Sequence, residues 1–194
     1  MGRIAVVGDR PLVLASASLR RAELLTSAGF RFTIDAADVD ETEHPGEDPQ
    51  AYVLRVARDK ARTIASRQHG AVVLAADTTV VAGGEILAKP VDETDAVRML
   101  ELLSDAVHEV WTGVVVINGG NEASDVVLTR VHMRAITPEE LRWYVASGEP
   151  MAKAGAYGIQ GRAARFIDWI EGSWSNVVGL PVATVDRLLK GLGA

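Results

Sequence analysis

Several charged and hydroxyl side chains in this sequence stand where their neighbours argue against them. Asp77 lies inside the run AVVLAADTTVV, with apolar residues on both sides. A carboxylate at the end of a buried strand must be paired, bound to a metal or neutralised, and such sites are where catalytic pKa values are tuned; capping a turn is the structural alternative. Lys60 shares the helical stripe of Val53, Val56, Ala57 and Ile64, where a cation costs desolvation unless it finds a partner or a cleft. Spacing alone favours a lysine that snorkels to water along its stem. Lys89 gives a similar signal at the mouth of a hairpin, and Asp40, Glu41 and Glu43 offer oxygen ligands of the kind Mg²⁺ uses beside phosphates, unless that acidic loop simply faces water. In LVLASASLRRAELL, residues 12 to 25, Ser16, Ser18, Arg20 and Arg21 sit where a short strand turns into a helix. A helix N-terminus favours anions, so two arginines there make sense if an external anion such as a phosphate completes the site. A Ser18 N-cap followed by solvated arginines explains the stretch equally well.

These residues must be positioned by strands and helices in alternation. Leu12 to Ala15 reads as a short buried strand, and Phe30 to Ala36 as a second. Asp48 is a good N-cap, Pro49 fits the first helical position and Gly70 can close the C-terminus, which predicts a helix over Pro49 to His69. AVVLAA (71 to 76) is a strand interrupted by Asp77, and TTVVAGGEILAK a hairpin about Gly83-Gly84 that Pro90 ends. A helix over about Thr94 to Leu103 precedes two strands, HEVWTGVVVI and ASDVVLTRVHMRA, joined by the turn Asn118 to Asn121. Thr137-Pro138-Glu139-Glu140 is a capping box opening a helix to about Ser147, a strand follows near Arg165 to Ile170, and Pro181 to Leu189 closes the chain as a helix. With no repeat and no clear linker, the pattern predicts an α/β fold with one curved mixed sheet and flanking helices.

The totals remove other classes. The 194 residues carry a formal net charge of -6, which argues against a general nucleic-acid or membrane-surface binder, and no apolar run reaches membrane-spanning length. Ile4 to Val7 is too short for a signal segment, so a soluble cytoplasmic protein is expected. There is no cysteine, hence no disulfide, thiolate metal site or cysteine nucleophile. The pattern G-x-x-x-x-G-K-[ST] is absent, and Ser16 and Ser18 lack a G-x-S-x-G context. GAYGIQG (155 to 161) has the wrong glycine spacing for a dinucleotide fingerprint. His108 and His132 have no metal spacing, so packing or a single hydrogen bond is expected, and the four tryptophans read as core or interface residues.

Together, LASASLRRAELL, VDE (39 to 41), LRVARDKA (54 to 61), AADTTVV, GEILAKP, KAGAYGIQG and VVGLPV, in that order, resemble the Maf family of nucleoside triphosphate pyrophosphatases, relatives of the inosine triphosphatase fold. The resemblance covers about Leu12 to Leu189, leaving residues 1 to 11 as an extension to a single domain. It implies two lobes around a central cleft, a divalent cation (Mg²⁺ or Mn²⁺), a homodimer, and hydrolysis of a nucleoside triphosphate to the monophosphate and pyrophosphate. Carried over by motif, Asp77 is the general base or a metal-linked carboxylate, Glu41 a metal ligand, and Arg21, Lys60 and Lys89 grip phosphates with Ser16 and Ser18 as further donors. Arg20, Thr78 and Gln160 match the family branch that acts on dTTP and UTP, where the sister branch acting on 7-methyl-GTP tends to carry Trp, Gln and Glu. Leu19 replaces a frequent proline, and LSDAVHEVWTG lacks the usual glycine after its serine, so that connection is expected to differ in shape. The competing expectation is a nucleotide-binding regulator of cell division with little or no hydrolysis, which would not need a base such as Asp77.

Overall fold

The computed structural model describes residues 10–193, so the proposed N-terminal extension lies almost wholly outside the described residues. Seven strands form one mixed sheet: β1 (Leu12–Leu14), β2 (Thr33–Ile34), β3 (Val72–Ala82), β4 (Glu85–Leu87), β5 (Ala106–Asn118), β6 (Asn121–Met133) and β7 (Ile167–Glu171). Their order is β2-β1-β3-β5-β6-β7, with β4 paired to β3. β1 runs parallel to both β2 and β3, while β4 and β7 pair antiparallel with their neighbours. The helices are α1 (Leu19–Ser27), α2 (Pro49–Ala65), α3 (Glu93–Leu103), α4 (Pro138–Val145), α5 (Trp174–Val178) and α6 (Val182–Gly191). Among the described residues no helix is long and apolar enough to cross a membrane.

The chain divides into two compact units. The first holds residues up to Asp77, Thr112–Val127 and the segment from Gly179; the second holds Thr78–Trp111 and Leu128–Val178. In the first unit, α2 begins as its sequence dictates, because the Asp48 carboxylate accepts from the backbone amides of Gln50 (2.9 Å) and Ala51 (3.3 Å). Such a cap contributes about 1 kcal/mol. The helix stops at Ala65, short of the expected His69, as the chain tightens into a terminal turn in which the Arg67 amide bonds the Ile64 carbonyl three residues back (3.1 Å), and Gly70, at φ 84°, ends that turn rather than the helix.

The apolar stripe of α2 packs on one face of the sheet. Ala57, Ala61 and Ile64 share a buried cluster with Val13, Ala15, Val73, Ala75 and Val115. The contact is close enough that a Cβ built on Gly113 would lie 2.5 Å from the Val53 carbonyl oxygen, so glycine there lets strand and helix backbones meet. Strand alternation then matters: Val73 and Ala75 face α2, and two residues further on Asp77 points the same way.

In the second unit, α3 and α4 pack with Val80, Leu87, Val131, Met133 and Phe166 around a core that includes the fully buried Tyr144. The capping box at Thr137 and Glu140 forms as expected. Two expectations change: β2 has two residues rather than seven, and β3 continues straight through Asp77 instead of breaking there. Trp143, Trp169 and Trp174 are each more than 40% exposed, so of the two expected places, core or interface, they do not take the core. Asp105, where the family glycine is missing, takes φ 55°, the left-handed conformation a glycine would adopt, and an aspartate tolerates it better than most residues.

Candidate active site

The side chain that completes the α2 stripe is the first to be corrected. Lys60 does not snorkel: it is 6% exposed, and its Nζ lies 2.7 Å from Asp77 Oδ1 and 2.7 Å from Glu41 Oε1. The reason is what lies opposite. Strand alternation aims Asp77, itself 6% exposed, at the helix turn that carries Lys60, and the loop before α2 brings Glu41 to the other side of the ammonium. Tyr52, one helical turn before Val56, donates from its hydroxyl to the Glu41 carbonyl oxygen (2.9 Å) and so holds that loop. Burial, with the negative charges of Asp77 and Glu41 adding to it, pushes the Tyr52 phenol up to about 12, so it remains a donor.

The strand-to-helix joint is also built rather than solvated at its second arginine. Arg21 is buried; its Nε donates to the Gly179 carbonyl (2.8 Å) and its Nη1 to Ser16 Oγ (3.0 Å). The Ser18 amide donates to the same Ser16 oxygen (3.2 Å). Ser18 occupies the N-cap position of α1, but its hydroxyl caps nothing, so the plain capping reading does not hold. Burial lowers the Arg21 pKa from its ordinary value, and Asp77 and Glu41 oppose that while Arg20 adds to it. Those three charges therefore share a field with Arg21. Arg20 is partly exposed.

The remaining candidates belong to the second unit. Thr78 follows Asp77 on β3 and is half-buried, Lys89 is exposed just before the buried Pro90, and Gln160 is exposed in the loop after Gly158. His108 makes the single hydrogen bond expected of it, to the Tyr157 hydroxyl (2.8 Å), and burial pulls its pKa down to about 4. His132 stacks on Trp169 and lies 3.2 Å from Asp168.

Sequence reasoning missed Tyr52 and the Gly179 carbonyl. A tyrosine on an apolar helix stripe looks like packing, and a backbone acceptor leaves no mark on composition, although Gly179 lies within one of the ordered motifs.

Among the described residues no group of three or more His, Cys, Asp or Glu could hold a metal alone. Glu41 and Asp77, gathered on one cation, are nonetheless the donor set Mg²⁺ commonly takes, one or two carboxylates completed by substrate phosphate and water.

The structure thus brings together a buried Lys–Asp pair, the loop carboxylate of Glu41 on the same ammonium, and a buried arginine in the same field. The sequence profile described as Maf-like protein matches residues 11–192, and the chain belongs to that family. It is similar to the dTTP/UTP pyrophosphatase of Myxococcus xanthus (strain DK1622), 54% identical over 182 residues that span 94% of this chain and 92% of that protein. The dTTP/UTP pyrophosphatase of Geobacter sulfurreducens is 50% identical over 185 residues, 94% and 97% of the two chains. Among solved structures, a HAM1 protein from Coxiella burnetii aligns over 94% of this chain and 98% of its own at a TM-score of 0.49 and 15% identity, too distant to argue from.

Proposed function

We propose that this protein hydrolyses dTTP and UTP, and modified pyrimidine relatives of them, to the nucleoside monophosphate and pyrophosphate. The observation that carries the reading is the buried Lys60 held between Asp77 and Glu41, in the same electrostatic field as the buried Arg21. A purely structural ion pair in a core is seldom worth its desolvation, and replacing one with apolar residues is often neutral or stabilising. A set of two carboxylates and two cations is better accounted for by a ligand that carries charge of its own. The reading is further supported by relatives about half identical along nearly their whole length that bear the name dTTP/UTP pyrophosphatase.

In this reaction the oxygen of water joins one phosphorus of the bond between the α and β phosphates, and the bridging oxygen leaves with its electron pair. Asp77 takes the proton from the attacking water. Lys60, Lys89 and Arg21 offset the charge that builds on the phosphoryl oxygens, and Ser16 with the Ser18 amide adds hydrogen-bond donors. Glu41 and Asp77 would hold the divalent cation, Mg²⁺ or Mn²⁺, which when bound supplies charge neutralisation at the phosphates. Gln160 and Thr78 read the pyrimidine edge through an amide and a hydroxyl, and Arg20 assists that choice. A homodimer in the cytoplasm completes the proposal, resting on the family resemblance.

The test is pyrophosphate release by the purified protein with Mg²⁺ or Mn²⁺ across a panel of canonical and modified triphosphates. Release from dTTP and UTP in preference to purine nucleotides is expected. Binding of nucleotide without any release would return the protein to the regulator class.

A further inference from the structure

The loop that carries Gln160 is fastened by a residue outside every motif of the family resemblance. Gly158 to Gly161 form a tight turn, closed by a 3.0 Å bond from the Gly161 amide to the Gly158 carbonyl, with the exposed Gln160 at its third position. Glu149, half-buried at the start of the 3-10 turn Glu149–Ala152, reaches across to the far end of it. One carboxylate oxygen accepts from the Arg162 backbone amide (3.0 Å) and the other from the Tyr144 hydroxyl (3.0 Å). Tyr144 is fully buried in the core of this unit, so the carboxylate ties the turn to a fixed point. The approach is so close that a Cβ on Gly161 would lie 2.2 Å from Glu149 Oε1. At the near end, the Lys153 stem occupies the place of a Cβ on Gly158, 2.6 Å from its Cε, while its Nζ donates to the Glu149 carbonyl (2.6 Å). Both turn glycines are thus explained by the space that Glu149 and Lys153 fill.

We propose that Glu149 is a positioning residue for base selection, its carboxylate fixing the turn so that Gln160 meets the nucleobase in one orientation. The inference rests on the reading of a pyrimidine nucleotide pyrophosphatase and deepens it. A site that selects by hydrogen bonding depends on donors and acceptors held in place, since a mobile amide can pair with several base edges.

The experiment measures kcat and KM for dTTP and ATP in the full-length protein, wild type and variants, with folding followed by thermal denaturation. Glu149→Ala and Gln160→Ala are each expected to lower the preference for dTTP over ATP by about tenfold, chiefly through KM for dTTP. The double variant should lose no more than about threefold beyond either single one, because both changes remove the same oriented amide. Glu149→Gln, whose amide can accept from Arg162 and donate to the Tyr144 oxygen, should restore the preference. Losses that multiply in the double variant, or an unchanged preference in Glu149→Ala, overturn the inference while leaving the reaction assignment standing. A wild-type protein that releases no pyrophosphate overturns both. Should Glu149→Ala not fold, Gly161→Ala, which pushes a methyl group against the carboxylate, is read against the same expectations.

Discussion

Replacing Asp77 with asparagine removes one charge from its cluster with Lys60 and Glu41 and keeps the side chain's shape, so it separates what the carboxylate does for stability from what it does in the reaction. Losing one partner of a buried ion pair costs about 3–5 kcal/mol when the other charge is left alone. Here Lys60 is not left alone. Its Nζ keeps the 2.7 Å contact to Glu41, whose side chain is about half exposed, and the asparagine oxygen still accepts a hydrogen bond. The expected loss is therefore smaller, about 2 kcal/mol, or a fall in Tm of about 4–8 °C for a chain of this size. Turnover should fall by about a thousandfold, within the range that a positioned general base contributes and equivalent to about 4 kcal/mol of activation free energy. Affinity for the nucleotide without divalent cation should hold or rise, because a negative charge beside the triphosphate has gone. Differential scanning calorimetry, pyrophosphate release and titration calorimetry with dTTP check the three quantities. A variant that turns over within about tenfold of wild type, with Tm lowered as expected, would refute the catalytic assignment and leave Asp77 as the structural partner of Lys60.

Three further outcomes follow from charges in this protein. The His108 pKa is held at about 4 by burial against an ordinary value of 6.5, so the unfolded chain binds more protons as pH falls below 6.5 and stability is lost on that path down to about 4. Between pH 7.5 and 5 this costs about 2 kcal/mol, and urea unfolding of wild type and His108→Gln should show that slope shrinking in the variant. Glu47 and Glu140, held at about 2 by Arg55 and Arg134, act in a separate lower window, losing their contribution as pH falls below about 4.5. Lys60→Met should free Glu41 and Asp77 for a cation, so nucleotide-free variant protein is expected to bind Mn²⁺ at least about tenfold more tightly than wild type by titration calorimetry. Equal or weaker binding would remove those two carboxylates as a metal set.

What the sequence made legible was local. Asp48-Pro49 and the Thr137 capping box are self-contained signals, read within four residues, and both helices start where they say. The hairpins at Gly83-Gly84 and Asn118 to Asn121 are legible for the same reason. Lys60 shows where this kind of reading stops. Helical spacing places it on the buried stripe, but whether it escapes to water depends on Asp77, which the next strand aims at it from beyond the end of the helix, and that is tertiary information. Arg21 could be read either way for the same reason, since the Gly179 carbonyl that accepts from it is 158 residues distant. Glu149 gave no signal at all, because an isolated glutamate after a glycine looks solvated until the turn it ties is in place.

The resting arrangement bears on how both sets of roles can be held by the same atoms. Lys60 is assigned to phosphate and Glu41 with Asp77 to a cation, yet in the protein alone they pair with one another. That is what burial requires: two carboxylates facing each other without a cation would be costly, and a buried ammonium without an anion equally so. With Arg21 nearby, two negative and two positive side chains balance, and the cluster can be carried inside a stable fold. A triphosphate arriving with its divalent cation brings the same two signs. The lysine can then turn to phosphate as the carboxylates turn to the cation, and no buried charge is left unpaired at either end of the exchange. On this argument the pairing in the free protein and the proposed roles in the complex are the same electrostatic requirement met by different partners, which is why removing Lys60 and removing Asp77 are expected to have opposite effects on cation binding.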